Sequence, residues 1–283
     1  MINITLYLLI LFGIILVYFQ LFNKCKENFE VDDLSLYNDK YYKTNSSYDE
    51  IYDDFYAFYH DEMFFSQTLY SKICDCILQY VSNVYNNHLV VGIKHGGHVN
   101  QYLDKIMPTI STSPSESIIK KCKYNYSNHN YSQISSYSHP LLFNQNEFTH
   151  ITILDDEIYY SPNVVDLLDN CAKWLMFKGK LFIQVYDSKA SFKENIGDIN
   201  LSSNVVKKYV YSSELKETEQ NNYTWIEKMK LKNSDKVRKN IHSLTFYDVP
   251  YLESVCQELG LVMIAKEDII NNISLLVFEK LKN

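Results

Sequence analysis

The chain has 283 residues, a net charge of −7 and only seven glycines, whereas glycine averages about 7% of residues in globular proteins. Its hydrophobic content of 46% and charged content of 22% exclude global disorder and collagen-like or glycine-rich low-complexity structure. The acidic balance gives no long-range attraction to nucleic acid, so we expect no nucleic-acid partner.

The spacing of the six cysteines matches neither a metal site nor a disulfide-bonded scaffold. No C-x-x-C pair occurs, which argues against a zinc ribbon. Several of the cysteines lie in apolar, helix-like runs, where a free thiol packs as a small hydrophobic group. We therefore expect a reducing compartment and no metal site.

The first 23 residues are predicted to form a transmembrane anchor. Residues 2–22 contain no charged side chain, and as a helix they would span a hydrocarbon core of ~30 Å. A cleaved signal peptide is the alternative, but it needs a basic start, a shorter apolar run and a small-residue cleavage site, none of which is visible. Lys24 and Lys26 follow the apolar run, so the positive-inside rule predicts a single-pass protein with a cytoplasmic domain.

A polar segment at 24–47 predicts a linker, and the domain is expected over 48–283. Apolar residues spaced three and four apart predict helix over 48–84. The apolar, β-branched run Leu89–Ile93 then predicts a buried strand. A KHGG turn and a second helix follow this strand, which is the order of elements that opens a doubly wound α/β sheet.

The remaining elements continue this alternation. After a short strand, we expect Ser113 to cap a helix that begins at Pro114. In chain order there follow a loop over 124–140 with one short strand at 133–135, a strand at 148–154, a helix from 162, a turn at Gly179, a strand at 181–187, a hairpin or lid within 205–231, a helix from 244 to Gly260, and strands at 261–268 and 273–280. Together they predict one α/β sheet with helices on both faces.

Several segments resemble the class I S-adenosylmethionine-dependent methyltransferases, and in particular the membrane-anchored methyltransferase-like proteins of large DNA viruses. The resemblance covers about 48–280 and is carried by YDEIYDDFYAFYHDE, GIKHGGHVNQYL, STSPSESIIKKCK, FTHITILDDEIYY, NCAKWLMFKGKLFIQVYD, KVRKN and LLVFEK. It implies a Rossmann-like sheet and S-adenosylmethionine as cofactor. The cofactor-binding positions that it implies are Gly92, Lys94, Gly96, Gly97, Ser111 and Asp155.

The sequence departs from the family pattern at the positions that matter for cofactor binding. The loop glycines fall on Gly92, Lys94 and Gly96, so the central one is a lysine. The acid expected before the loop falls on Val90, and the ribose-binding acid falls on Ser111. Each lost hydrogen bond costs about 1–3 kcal/mol when its polar partner stays buried, so we expect a weakened cofactor pocket.

Three functions remain open from the sequence. The first is a catalytically degenerate methyltransferase fold, a pseudoenzyme retained at a membrane for binding or assembly. The second is an active methyltransferase with an unusual cofactor loop. The third, a metal-dependent hydrolase, rests on His95 and His98 with the acidic run 155–157, but that spacing forms no known ligand set. The sequence assigns neither a catalytic residue nor a protein partner.

The residues that could face the pocket have alternatives of their own. The candidates after the strand at 148–154 are Asp155, Asp156, Glu157, Tyr159 and Tyr160. The acids could instead form an exposed turn, and the tyrosines could simply pack. Lys94 could be a solvated loop residue, or its ammonium could pair with the region left by the missing acids. A solvated helix face is favoured for KVRKN, the segment around Arg238, over a local basic patch.

Overall fold

The computed structural model describes residues 38–64, 66–81, 86–94, 108–127, 129–196, 200–201 and 209–281. The predicted anchor at 1–23 and the segment 95–107, which includes Gly96 and Gly97, lie outside the described residues. Within the part of the chain that is described, no helix is both long enough and apolar enough to cross a lipid bilayer. Residues 38–283 form one compact unit that contains both sheets and their cores, which is the organisation expected of a domain that folds independently.

The strands of the described residues are, in chain order, β1 (Thr44–Asn45), β2 (His88–Val91), β3 (Thr109–Ser113), β4 (Asn130–Gln133), β5 (Phe148–Ile153), β6 (Leu175–Tyr186), β7 (Asn200–Leu201), β8 (Tyr209–Glu219), β9 (Asn222–Leu231), β10 (Val237–Thr245), β11 (Leu261–Ile270) and β12 (Ile273–Lys280). The helices are α1 (Tyr48–Ile51), α2 (Asp54–Phe64), α3 (Gln67–Leu78), α4 (Glu116–Asn125), α5 (Glu157–Tyr160), α6 (Val164–Trp174), α7 (Lys189–Ile196) and α8 (Val249–Glu258).

Within the described residues, the larger sheet contains seven strands in the order β11-β12-β6-β5-β2-β3-β4. The strands from β6 to β4 run parallel, and β12 and β11 complete one end as an antiparallel pair. The central strands β2 and β5 are buried along their whole length, as expected of parallel strands covered on both faces. The predicted α/β sheet and its closing strand pair are therefore confirmed. The short strand predicted at 133–135 was misplaced, because the strand found there, β4 (Asn130–Gln133), shares only Gln133 with the predicted range.

Helices cover both faces of this sheet. On one face, α3 places Tyr70, Ile73 and Ile77 in an apolar cluster with Phe182 and Val277. On the other face lies the larger core, to which α6 and α8 contribute Leu167, Leu168, Cys171, Trp174, Leu252 and Cys256. Neighbouring residues of β6 and β12 alternate between these two cores, because side chains on a strand point to opposite faces in turn.

A second sheet has the strand order β1-β10-β9-β8-β7. Its strands β8, β9 and β10 form an antiparallel meander, which confirms the hairpin predicted within 205–231 and adds a third strand to it. β1 runs parallel to β10, so residues 44–45 of the predicted linker pack within the domain. In β9 every second residue is buried, and the sheet therefore has one inward and one outward face.

The predicted helix over 48–84 consists of three helices, α1, α2 and α3. The side chain of Ser47 caps α1 by accepting a hydrogen bond from the backbone N–H of Glu50, and Ser66 caps α3 through the N–H of Leu69. Each serine is an N-cap, so it fixes the residue at which the following helix begins. The predicted helix is interrupted at residues 52–53, between α1 and α2, and again before Ser66, between α2 and α3. Because the apolar spacing continues across both positions, it does not predict either break.

The cap of α4 is Ser115, and the prediction of Ser113 was wrong. Ser113 is still the last residue of β3, so its backbone belongs to the sheet. The hydroxyl oxygen of Ser115 accepts the N–H of Ile118 at 3.1 Å, and the same hydroxyl donates to the carbonyl of Tyr52 at 2.7 Å. The cap therefore also ties α4 to the chain between α1 and α2.

Gly179 lies in a bulge of β6 and not in a turn before the strand. Phe148 pairs with Leu175, but His150 already pairs with Lys180, so extra residues of β6 loop out between the two pairs. A Cβ atom at Gly179 would lie 2.9 Å from the Leu175 side chain. Glycine is thus required here by close packing within the bulge.

The KVRKN segment is part of β10, so the expected helix face was wrong. Arg238 points inward and is completely buried. Its guanidinium donates to the Asp53 carboxylate at 2.9 Å, to Oδ1 of Asn240 at 3.0 Å and to the carbonyl of Ile51 at 2.8 Å. These bonds connect the second sheet to α1 and to the start of α2. The following helix, α8, accordingly begins at Val249 and not at 244.

Candidate functional site

The larger sheet has a topological switch point between β2 and β5. From β2 the chain continues to β3 and β4 on one side, and it then returns to β5 and β6 on the other side. In open parallel sheets, ligands bind in the crevice at the carboxyl ends of the strands where the order reverses. The residues that follow β2 and β5, Gly92–Lys94 and Leu154–Glu157, therefore line the expected crevice.

Gly92 makes room for a side chain of the protein itself. Its φ angle is +74°, in the left-handed region that favours glycine. Its N–H donates to the hydroxyl of Tyr137 at 3.0 Å. A Cβ atom at this position would overlap with Cβ, Cγ and Cδ of Glu157. The Glu157 side chain thus occupies the space beside Gly92 that a Cβ atom would otherwise fill.

Lys94 is buried in the same crevice, with only 2% of its surface exposed. Its ammonium donates to the backbone carbonyl of Asp155 at 2.8 Å and lies 3.4 Å from Oε2 of Glu157. It also lies 3.7 Å from the centre of the Tyr160 ring, in a cation–π contact. The expectation of a solvated loop lysine is therefore wrong, and the ammonium instead pairs with the segment that follows β5.

The acidic run after β5 is folded into the crevice and is not an exposed turn. Asp155 and Asp156 both have positive φ angles, 55° and 63°, and Glu157 begins α5. The Asp155 carboxylate accepts the backbone N–H of Lys94 at 3.0 Å and a hydrogen bond from the hydroxyl of Tyr70. Burial raises the pKa of Glu157 above its ordinary value, and the nearby Lys94 ammonium opposes that rise. Both carboxylates are thus held by the loop after β2.

Two cavities flank the Lys94–Glu157 pair. One has a volume of about 230 Å³ and is lined by Lys94, Asp155 and Asp156 together with aromatic side chains that include Tyr52, between α1 and α2, and others from α2 and β9. The other has a volume of about 180 Å³ and is lined by Glu157, Tyr137 and the chain after β3 and β4. Tyr160 borders both cavities. Pockets for drug-sized ligands measure about 300–1,000 Å³, so each of these two cavities is smaller than such a site.

A chain of hydrogen bonds leads from the crevice into the second sheet. The hydroxyl of Tyr160 lies 2.8 Å from Nδ1 of His242, and Nε2 of His242 lies 2.6 Å from Oε2 of Glu227. Tyr56 and Tyr211 donate to the two Glu227 oxygens at 2.6 Å and 2.7 Å. Burial opposes ionisation of Glu227, but His242 and the two tyrosines outweigh it and hold the Glu227 pKa below its ordinary value. A buried carboxylate thus orients the imidazole that contacts Tyr160.

The other residues that the sequence singled out lie in different surroundings. Ser111 sits inside β3, paired with Val90 and Tyr131, and its buried hydroxyl has no hydrogen-bond partner. It is two residues short of the carboxyl end of the strand and does not line either cavity. Tyr159 belongs to the core, where its hydroxyl accepts the N–H of Tyr186 at 2.8 Å. The crevice therefore brings together Gly92, Lys94, Asp155, Asp156, Glu157 and Tyr160, and it leaves out Ser111 and Tyr159.

His95 and His98 lie outside the described residues, as do Gly96 and Gly97. Among the residues that are described, no group of three or more His, Cys, Asp or Glu side chains could hold a metal ion. The metal-dependent hydrolase therefore gains no support from this part of the chain.

Sequence reasoning missed Glu227 and His242, which face each other near the crevice. Both are inward residues of antiparallel strands, and their neighbours along the chain point outward. The available signal is the register of the meander, in which Glu227 pairs with Asn240 and His242 pairs with Trp225. A sequence that shows two alternating runs does not reveal this register until the turn between the strands is known.

The chain shares its fold with S-adenosylmethionine-dependent methyltransferases. The CcbJ methyltransferase from Streptomyces caelestis is similar with a TM-score of 0.65 over 87% of this chain and 100% of its own, at 11% identity. A methyltransferase of this class from Clostridium acetobutylicum has a TM-score of 0.63 over 81% of this chain and 98% of its own, at 12% identity. CalS10, an amino pentose methyltransferase from Micromonospora echinaspora with S-adenosylmethionine bound, has a TM-score of 0.63 over 80% and 96%, at 12% identity.

No protein-family model matches the sequence, and no curated protein matches it either. At 11–12% identity, the similarity to solved structures establishes the fold and not the activity. The class I methyltransferase fold that the sequence resemblance implied is thus present in the structure.

Proposed function

We propose that this chain is a methyltransferase-fold pseudoenzyme, whose cofactor crevice is closed by its own side chains and whose domain is held at a membrane. The observation that carries the proposal is the Lys94–Glu157 pair above Gly92. The two ionic groups lie 3.4 Å apart, and Glu157 takes the space that the glycine leaves free. The protein retains the fold for binding or assembly.

The residues present do not fit S-adenosylmethionine. A cofactor at the switch point needs close access to the backbone of the loop after β2, and the Glu157 side chain lies in that place. Lys94 stands at the position of the family's central loop glycine, and its buried side chain takes up space beside that backbone. No acidic residue stands at Val90 or Ser111, where the family would place its cofactor-binding acids.

The membrane part of the proposal rests on the sequence. Residues 2–22 are uncharged and long enough to span a bilayer as a helix, and Lys24 and Lys26 follow them. This pattern supports a single-pass anchor and a cytoplasmic domain. Extraction of the full chain from membranes with alkaline carbonate tests this part, because an integral anchor stays with the lipid and a peripheral protein is released.

Calorimetric titration of residues 38–283 with S-adenosylmethionine and S-adenosylhomocysteine tests the closed crevice. We expect no binding of either compound up to millimolar concentration. Lys94→Gly together with Glu157→Ala removes both obstructing side chains, and Lys123→Ala on the exposed surface of α4 is the matched control. Micromolar binding by the unaltered domain would contradict the proposal. Binding gained by the double variant alone would identify the ion pair as the obstruction.

The second candidate is an active methyltransferase, and one specific observation favours it. The Glu227–His242–Tyr160 chain reaches the cavity of about 230 Å³, so a proton could be passed from a bound acceptor to a buried imidazole. This function requires Lys94 and Glu157 to separate before cofactor binds. The same titration decides between the two, since an active enzyme must bind S-adenosylmethionine without any substitution.

A further inference from the structure

The outward face of the second sheet carries an unusual concentration of lysine. At the end of the sheet near the β9–β10 turn, outward positions of β8, β9 and β10 combine basic and apolar side chains. We call this surface the basic face, and it consists of Val210, Lys228, Lys230, Lys232, Val237 and Lys239.

The register of the strands places five of these side chains in two adjacent rows, and Lys232 follows in the turn after β9. Lys239 lies directly opposite Lys228, and Lys230 lies between Val210 and Val237. Like charges directly opposite each other on neighbouring strands destabilise a sheet. Among the described residues, no acidic side chain forms an ion pair with the lysines of the basic face. An arrangement that costs stability in the isolated domain, in a chain of net charge −7, points to an anionic partner.

The apolar side chains of the basic face indicate which kind of anionic partner fits it. Val210 and Val237 are 44% and 40% exposed, on either side of Lys230. In the next row Ile226 and Ile241 lie opposite each other and are half-buried. Lysine and aliphatic side chains interleaved on one face suit the surface of an anionic bilayer, because the ammonium groups reach the headgroups and the valines contact the acyl boundary.

The position at which the chain enters the domain agrees with this partner. The described residues begin at Asn38, and β1 pairs with β10 so that Thr44 lies beside Lys239. The residues before Asn38 contain the uncharged apolar run 2–22. Residues 44–45, the first strand of the domain, therefore lie next to the basic face.

We propose that the basic face binds the surface of an anionic phospholipid bilayer and holds the domain against the membrane. This inference rests on the proposed membrane location, and it names a second contact that is independent of the anchor. The anionic lipids of the cytoplasmic leaflet supply the complementary charge. Binding through the basic face leaves the crevice of the larger sheet uninvolved.

Vesicle sedimentation of residues 38–283 tests the basic face without the apolar run. We expect binding to vesicles of phosphatidylcholine and phosphatidylserine, no binding to phosphatidylcholine alone, and release at high salt. Each lysine near an anionic surface contributes about a fivefold gain in partitioning, so Lys228→Glu/Lys230→Glu/Lys239→Glu should lower it by on the order of 100-fold or more. The matched control, Lys120→Glu/Lys123→Glu/Lys178→Glu, reverses as many exposed lysines away from the second sheet.

The proposal is overturned if the unaltered domain does not bind anionic vesicles, or if both triple variants lose binding equally. It is also overturned if the domain binds single-stranded RNA in preference to these vesicles. Circular dichroism shows whether each variant folds. If the triple variant does not fold, acetylation of the native domain gives the answer, since anionic vesicles should protect Lys228, Lys230 and Lys239 but not Lys123. Carbonate extraction of the full chain reports on the anchor alone, so failure of one contact is distinguishable from failure of the other.

Discussion

The ammonium of Lys94 and the carboxylate of Glu157 form an ion pair in the crevice where the strand order of the larger sheet reverses. They lie 3.4 Å apart, and both side chains are almost completely buried. Lys94 comes from the loop after β2 and Glu157 from the first residue of α5, so the pair joins the two segments that would have to part for a ligand to enter.

Replacing Lys94 by methionine should destabilise the domain more at high pH than at low pH. The folded-state pKa of Glu157 is already raised by burial, and loss of the ammonium raises it further. A raised carboxyl pKa gives stability at low pH that is lost as the pH rises through the folded pKa. We expect a loss of about 3–5 kcal/mol at pH 8 and a smaller loss at pH 5, measured by urea unfolding.

Two comparisons make this prediction specific. Glu157→Gln in the Lys94→Met background should recover part of the lost stability, because no buried charge then lacks its partner. Lys123→Met on the surface should change stability by less than about 0.5 kcal/mol. An equal loss at both pH values, with no recovery in the double variant, would refute the ion pair as the cause.

Gly92→Ala should be among the most destabilising single-methyl additions in the chain. The new Cβ atom would overlap the Glu157 side chain, and an alanine with φ of +74° adds backbone strain of about 1–2 kcal/mol. We expect a total loss above about 3 kcal/mol. In a Glu157→Gly background only the backbone strain should remain, so a cycle of denaturant melts separates the two contributions. Equal losses in both backgrounds would show that Glu157 is not the obstacle.

Glu227→Gln should destabilise the second sheet. The free energy of unfolding of this variant should also depend less on pH in the acidic range. The folded-state pKa of Glu227 is lowered, so its contribution is present above the unfolded pKa and disappears as the pH falls through the folded pKa. We expect a loss of about 3–5 kcal/mol at pH 7, because His242 and two tyrosines lose a buried anionic acceptor. The difference from the unaltered domain should shrink towards pH 3. A pH-independent difference would mean that the carboxylate charge is not what matters.

His88 should remain neutral far below the usual range for histidine. Its ring nitrogens face the hydroxyls of Thr109 and Thr152, and burial together with the nearby His150 lowers its pKa to about 3. A depressed histidine pKa gives stability above the unfolded value of about 6.5 that is lost as the pH falls, by up to about 1.4 kcal/mol per pH unit. His88→Gln should flatten this part of the profile. A ring resonance of His88 that shifts between pH 7 and pH 5 would contradict the prediction.

The cysteines of the described residues should be inert in the folded domain. All five are buried, and burial raises the pKa of Cys74 to about 12, of Cys76 to about 11 and of Cys256 to about 12. Since the thiolate is the reactive form, an aromatic disulfide reagent at neutral pH should modify residues 38–283 only as fast as the domain unfolds. Rapid modification of any of these thiols under native conditions would contradict their burial.

The sequence predicted the larger sheet well because its strands follow simple rules. β2 and β5 are short apolar runs, and β12 has the same character, so their burial on both faces is visible in the residues themselves. Helix starts were less predictable. Ser113 and Ser115 are both reasonable caps, and the choice between them depends on how far β3 extends, which the pairing with β4 decides.

The second sheet was only partly predictable because its inward face is polar in β10. Arg238, Asn240 and His242 point inward, whereas the aliphatic Val237 and Ile241 point outward. A hydrophobicity pattern assigns the opposite orientation to such a strand. The burial is possible because Glu227, Asp53 and backbone carbonyls satisfy these polar groups, and those partners come from distant parts of the chain.

The place of β12 in the larger sheet has a consequence for how the protein is made. β12 lies between β6 and β11, although it follows β11 in the chain. Until β12 is available, β6 exposes an unpaired edge, because no other strand covers that side of it. The half-built sheet is then open to pairing with other chains, so the new protein should depend most on chaperones until residues 273–280 have emerged from the ribosome and inserted.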